Sequence, residues 1–317
     1  MRKALIVGID YYQNISPLYG CVNDSYNVKS VLERHSDGTL NFSIKHESAS
    51  NLESAINRGK LKENVQELFN DDSDIALFYF AGHGYIENTG GYLITSECTR
   101  GDDGFSLDEL LTIANNSSAK NKIIILDSCH SGIAGTPAHT NNRALLNEGL
   151  TILTASSSTQ YAQEENGSGV FTSLLVDALN GSASNLVGDI TPGSIYAHID
   201  QALGPWEQRP IFKTNVKTFT TLRKVQPPIP LTDLKKIVEL FEEPNIEFAL
   251  DPSFEPDSGA PNDENVEKFR ILQKYNRINL VIPVNEEHMY YAAMHSTGCK
   301  LTALGVHYWN LVKKQRI

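Results

Sequence analysis

The residues of this chain best suited to chemistry stand at the ends of short apolar runs. The run Ile75–Ala81 is followed by Gly82-His83-Gly84, and the run Ile123–Leu126 by Asp127-Ser128-Cys129-His130-Ser131-Gly132. A cysteine thiolate is a strong nucleophile, but little of it is ionised at neutral pH at the free thiol's pKa. A nearby imidazole raises the thiolate share or takes the proton during attack, and later protonates a leaving amine. Glycines beside each residue let backbone N–H groups approach a developing oxyanion. Gly84 and Cys129 are the candidate donors, each worth roughly 3–4 kcal/mol in acyl transfer. Taken singly, a cysteine near a strand end is ordinarily a small core residue. Paired at two strand ends, 46 positions apart, the signals specify a Cys–His nucleophilic site. His130 competes with His83 as the base, but neighbours in a tight turn point their side chains apart, which favours His83.

Such a site needs elements that bring distant residues together. The runs Ala4–Ile9, Ile75–Ala81, Ile123–Leu126 and Leu150–Ala155 read as strands buried on both faces. Helical spacing fills Val22–Arg34, Asn51–Phe69, Leu107–Ala114 and Val170–Leu179. The βαβα order predicts an α/β fold, a mainly parallel sheet sandwiched by helices. Ligands bind beyond the carboxyl ends of such strands. That edge collects Asp10, the loop with Cys21 and Asp24, His83, Asp127 with Cys129, and Ser156-Ser157-Ser158.

The bulk properties narrow the function further. The 317 residues are 40% hydrophobic, enough for a sizeable core. The net charge of -11 argues against general affinity for nucleic acid or anionic membrane. Four widely spaced cysteines with no CxxC pair argue against a zinc ribbon or a disulfide framework. No apolar run reaches membrane-spanning length, and the opening apolar stretch is too short for a secretory core, so a cytoplasmic location is expected. Residues 1–223 form the expected first domain, the proline-rich 224–230 a linker, and 231–317 a second domain. In that second domain Leu231–Glu243, Asn265–Tyr275 and Leu301–Val312 read as helices, and Asn279–Pro283 and Met289–Ala293 as short strands. With Leu301–Trp309 resembling the last helix and wing of winged-helix modules, a small winged-helix-like domain is expected. Tyr308 and Trp309 read most simply as its core. From Pro230 onward 10 Lys and Arg face 13 Asp and Glu, which favours a protein partner over DNA.

The chemistry-bearing motifs also carry a resemblance. Phe78–Gly84 resembles the histidine motif of the caspase-like peptidases, and Asp127–Gly132 their cysteine motif in its metacaspase form. Ala4–Asp10 with Gly20-Cys21-Val22-Asn23-Asp24 is similar to their opening strand and loop, and Gly169–Leu175 and Gln208-Arg209-Pro210 to their later helix and strands. The resemblance covers roughly residues 1–223. It implies the caspase–haemoglobinase fold and peptide hydrolysis through an acyl-enzyme. It further implies a primary pocket selecting Arg or Lys, with Cys21, Asp24 and Asp127 at the matching positions. Buried carboxylates there would pair with a cationic side chain; Asp24 reads equally as a helix cap. Ala81 departs from the serine common before the family's Gly-His-Gly. Some metacaspases need calcium. Glu97, Asp102, Asp103, Asp108 and Glu109 are available, but they read more simply as a turn and a first helical turn, so no cofactor is expected. The polar loop Ile133–Gly149 matches a linker that is often cut in the family; Arg143 is the candidate cleavage point, or part of an uncut surface loop. The expected function is a regulated cysteine endopeptidase, an effector in bacterial signalling or antiviral defence. The alternative is a non-catalytic adaptor that keeps the fold and binds peptides.

Overall fold

A computed structural model describes residues 1–87, 90–128, 145–155, 168–204 and 208–317, and the backbone of 164–165. The chain divides into two compact units, Met1–Gln226 and Pro227–Ile317.

The first unit opens with strand β1 (Arg2–Ile9), then α1 (Cys21–Glu33), β2 (Ser43–Ala49), α2 (Arg58–Phe69) and β3 (Ile75–Ala81). A small antiparallel sheet follows, of β4 (Gly84–Glu87), β5 (Gly90–Leu93) and β6 (Phe105–Ser106), and leads into α3 (Leu107–Asn116). Next come β7 (Asn121–Asp127), β8 (Leu150–Thr154), the two-residue pair β9 (Glu164–Glu165) and β10 (Ser168–Gly169), and α4 (Val170–Asp177). The unit ends with β11 (Asp189–Ile190), α5 (Pro192–Ala202), β12 (Ile211–Asn215) and β13 (Arg223–Lys224). The central sheet has the order β12-β8-β7-β3-β1-β2. It is parallel throughout except for β12, which runs antiparallel to β8. This is the caspase–haemoglobinase type of α/β fold expected from the sequence.

Alternate residues of each central strand feed opposite cores, as the two-residue strand period requires. Leu5, Val7, Phe78 and Phe80 join Leu61 and Val65 of α2 and Leu110 of α3. Ala4, Ile6, Leu77 and Tyr79 join Val28 of α1, Phe171 of α4 and Ile195 of α5. Helix α1 lies close on β1: a Cβ on Gly8 would stand 2.4 Å from the Cys21 carbonyl oxygen and 2.6 Å from Ser25 Oγ.

Two expectations for this unit need correction, and one strand, β2, stands where none was expected. Helix α2 begins at Arg58 rather than Asn51, because Asn51 Oδ1 accepts from Ser54 N–H (3.0 Å) and closes a turn. Asn57 then caps the helix by accepting from Lys60 N–H at 2.8 Å. Strand β2 offers no apolar run, because its sequence, Ser-Ile-Lys-His-Glu-Ser-Ala, is mostly polar, as befits the sheet's edge. Helix α4 stops at Asp177, where the chain widens into a looser turn through Gly181 at φ 136°.

The second unit comprises α6 (Leu231–Lys235), α7 (Ile237–Leu240), β14 (Phe248–Ala249), α8 (Asp263–Arg277), β15 (Val281–Val284), α9 (Met289–Met294), β16 (Gly298–Leu301) and α10 (Ala303–Lys313). Its antiparallel sheet has the order β14-β16-β15. Met289–Ala293, expected as a strand, is helical. The pairing partner of β15 is Gly298–Leu301, so α9 lies between the two paired strands, where a strand was expected. Leu231–Glu243 is two short helices rather than one. Phe241, Phe248, Phe254 and Phe269 form a chain of ring contacts at 5.9, 5.8 and 6.3 Å. Tyr308 and Trp309 are buried, and the indole N–H donates to the Phe241 carbonyl at 2.7 Å.

Candidate active site

Strand β3 ends at Ala81, paired with Asp127 at the end of β7. His83 and Cys129 each follow that pair by two residues. Cys129 lies outside the described residues, as do His130, Arg143 and Ser156-Ser157-Ser158.

His83 is fixed from two sides. Its backbone N–H donates to the Tyr12 hydroxyl oxygen at 2.8 Å, and its carbonyl accepts from Ile94 N–H at 3.0 Å. The imidazole lies against the Tyr12 ring, centroids 4.7 Å apart. Its Nε2 is 2.9 Å from the Ser16 carbonyl oxygen. A carbonyl only accepts, so Nε2 is the donor in this contact. The loop that supplies Tyr12 and Ser16 is itself pinned. Leu18 N–H donates to the Asp10 carbonyl at 3.0 Å and Gln13 N–H to the Ser96 carbonyl at 2.8 Å. Burial raises the Tyr12 phenol well above its ordinary value, with Cys21 nearby adding to it, so the hydroxyl stays neutral.

Gly84 opens β4. Antiparallel ladders alternate bonded and non-bonded pairs. Since His83 and Ile94 form a bonded contact, the Gly84 N–H points away from β5. That leaves it suited to an oxyanion.

Asp10, Asp24 and Asp127 divide the remaining work. Asp10 Oδ1 accepts from Cys21 N–H (2.9 Å) and Val22 N–H (3.4 Å), where a carboxylate suits the positive end of α1. Asp24 is buried. It accepts from the Ser168 hydroxyl and from Gly169 N–H (2.9 Å), so it ties α1 to β10 and does not cap its own helix. Asp127 is buried too, and its Oδ2 accepts from Thr172 Oγ1 at 2.6 Å. With the Thr172 proton so used, the Tyr79 hydroxyl, 2.6 Å from Thr172 Oγ1, is the donor there. Burial, then Asp127 and Asp24, push the Tyr79 phenol well above its ordinary value, which keeps that proton in place.

Both carboxylates reach Gly169. A Cβ at that position would meet Asp127 Oδ2 at 2.6 Å and Asp24 Oδ2 at 3.1 Å. The bare Gly169 thus lets two buried carboxyl groups approach the same stretch of backbone. Cys21 is buried in the apolar layer beneath α1. Tyr12, Ser16, Tyr79, Thr172 and Ser168 were not singled out from the sequence. Tyr12 alone left a trace, as half of the aromatic pair Tyr11-Tyr12 just after the first strand.

Among the described residues no group of His, Cys, Asp and Glu is disposed to hold a metal ion. Asp103 Oδ2 accepts from Thr99 Oγ1 (2.6 Å) and Arg100 N–H (3.0 Å), Glu109 pairs with Lys62 (2.6 Å), and Glu97 accepts from Arg58 N–H (2.7 Å). No helix of the described residues is long and apolar enough to cross a membrane.

A mostly parallel sheet that brings the strand ends before His83 and before Cys129 to one edge fits the cysteine-peptidase type of α/β fold. The caspase-domain family model matches residues 1–225, and the chain belongs to that family. Metacaspase-1 of Schizosaccharomyces pombe is 30% identical over 86 residues, 26% of this chain and 20% of that protein. Metacaspase-1 of Meyerozyma guilliermondii is 28% identical over 161 residues, 42% of this chain and 36% of that one. The chain thus spans only about a fifth to a third of the length of such curated relatives. Among solved structures, a Geobacter sulfurreducens protein superposes with a TM-score of 0.53 at 15% identity, covering 71% of this chain and 100% of that one. Caspase-1 of Spodoptera frugiperda superposes with a TM-score of 0.50 at 15% identity, covering 71% and 91%.

Proposed function

We propose that this chain is a cysteine endopeptidase that cuts proteins after Arg or Lys. The observation that carries the reading is the pair Asp24 and Asp127, buried and convergent on Gly169 close to the strand end that bears His83. A substrate's cationic side chain between these carboxylates would be held by charge-assisted hydrogen bonds, whereas an aspartate there would add a third negative charge. Cys21, being buried and apolar in its surroundings, serves as wall rather than as charge.

Catalysis then runs through His83 and Cys129. His83 takes the Cys129 thiol proton, and the thiolate attacks the scissile carbonyl carbon, whose oxygen takes up negative charge facing the Gly84 and Cys129 N–H groups. His83 gives its proton to the leaving amine, and a thioester acyl-enzyme remains. Water attacks this thioester while His83 takes the water's proton; the C–S bond then breaks, the carboxyl product leaves, and His83 returns the proton to the Cys129 sulfur. The Ser16 carbonyl holds the imidazole in one orientation through these transfers. As a regulated effector, the enzyme would be held back at rest by the segment 133–149, released by cutting near Arg143 or by a protein partner recruited through the C-terminal unit.

The test is turnover of fluorogenic peptides with Arg, Lys or Asp before the cut. Arg and Lys substrates should be cleaved, and Cys129→Ala and His83→Ala should each lower the rate by roughly a thousandfold or more. Preference for Asp substrates would overturn the pocket; normal turnover by Cys129→Ala would overturn the mechanism.

A further inference from the structure

The C-terminal unit carries a cluster of rings and carboxylates that its core does not use. His288, Tyr291 and His295 follow one another along α9 with centroid spacings of 6.0 and 5.8 Å, the last two stacked at 20°. Tyr290 sets its edge against Tyr291 at 5.4 Å. Unlike the buried Tyr308, Tyr290 and Tyr291 are 47% and 44% exposed. Glu286 Oε1 lies 2.8 Å from His295 Nδ1 and fixes that ring. Asn285, at φ 55°, turns the chain just before it. Asn285, Glu286, Glu287, Tyr291 and His295 together line one open cleft of about 650 Å³.

The faces of aromatic rings are electron-rich, and two glutamates stand beside them in a unit that is acidic overall. A cation is therefore the complementary ligand. A guanidinium suits this cleft better than an ammonium: it is planar, weakly hydrated, stacks on rings, and presents several donors to carboxylates at once. We infer that the cleft is a recognition site for an arginine side chain of a protein partner, stacked on Tyr291 and hydrogen-bonded to Glu286 and Glu287. This gives a chemistry to the recruitment proposed above, and it shares that reading's premise that the unit meets a protein.

Methionine supplies a local reporter, because two of the three methionines, Met289 and Met294, belong to α9. The full chain bearing Cys129→Ala and carbon-13 methionine methyls is titrated with the peptide Gly-Arg-Gly-Arg-Gly amide, and with its neutral counterpart in which citrulline replaces arginine. Saturable shifts of the α9 methionine signals are expected with the arginine peptide. The citrulline peptide should bind about fivefold more weakly or worse, as should the arginine peptide on Tyr291→Leu and on Glu287→Gln. Glu287 is exposed, so its variant keeps the fold if Tyr291→Leu does not. Absence of shifts at millimolar peptide, equal affinity for both peptides, or unchanged affinity in both variants would overturn the inference. Equal affinity for both peptides would leave recruitment standing and remove only its arginine chemistry. Failure of the protease reading would appear separately, as absent cleavage.

Discussion

At the scale of the residue, the groups legible from sequence are those with a place in a local motif, and the illegible ones are those defined by distant partners. His83 and Asp127 announce themselves by their place after apolar runs, and Asp24 by its place in the loop opposite. Tyr12, Ser16, Thr172 and Tyr79 matter only through hydrogen bonds to partners tens of residues away, which no local pattern encodes. Tyr12→Phe tests this directly, since it removes the acceptor of the His83 N–H. It should lower kcat by about tenfold with KM little changed, and cost about 1–3 kcal/mol of stability by leaving a polar group without a partner. The mutant's rate and its denaturant midpoint read the two effects apart. At the pocket, Gly169→Ala puts a methyl 2.6 Å from Asp127 Oδ2. The carboxylates must part, so KM for Arg substrates should rise at least about tenfold while Cys129 alkylation by a small haloacetamide continues.

At the scale of the element, buried strands were legible because they are continuous apolar runs, and the edge strand was not because it is mostly polar. The same reasoning explains Met289–Ala293. Its Met-Tyr-Tyr-Ala-Ala reads as strand by composition, yet Met289, Ala292 and Ala293 are buried at helical spacing while Tyr290 and Tyr291 face out. Period, rather than apolar content, decides such short segments. Helix α1 offers a quantitative check, because it places Asp24 and rests on Gly8. Gly8→Ala drives a Cβ into the Cys21 carbonyl and should destabilise the unit by roughly 1–3 kcal/mol, seen as a lower urea midpoint. Cleavage of Arg substrates should weaken in parallel, because α1 cannot shift without carrying Asp24 away from Gly169.

At the scale of the whole molecule, the end of the first unit is clasped back onto its start. Lys224 N–H donates to His35 Nδ1 at 3.0 Å, Ser36 N–H to the Lys224 carbonyl at 3.0 Å, and Arg2 Nη2 to the Thr221 and Leu222 carbonyls at 2.7 and 2.6 Å. His35 must be neutral to accept that bond. Burial, then Arg2, hold its pKa below the usual 6.5. The unfolded chain therefore binds a proton that the folded one refuses. Stability should be full above about pH 6.5 and fall as the pH drops below it. His46, lowered by burial and Lys29, acts with the same sign. His35→Asn keeps an acceptor but does not titrate, so its Tm should fall less between about pH 7.5 and 5.5 than that of the unaltered protein. The order of the central sheet has a consequence for the chain during its synthesis. Asp24 meets Ser168 and Gly169, 144 and 145 positions further on, and Asp127 meets Thr172, 45 positions further on, so a chain not yet synthesised past that point holds both acids without these donors. Contacts so distant in sequence form late. On the proposed function, such a chain would carry its nucleophile before its pocket, and basic residues would be spared until α4 has been made and has docked.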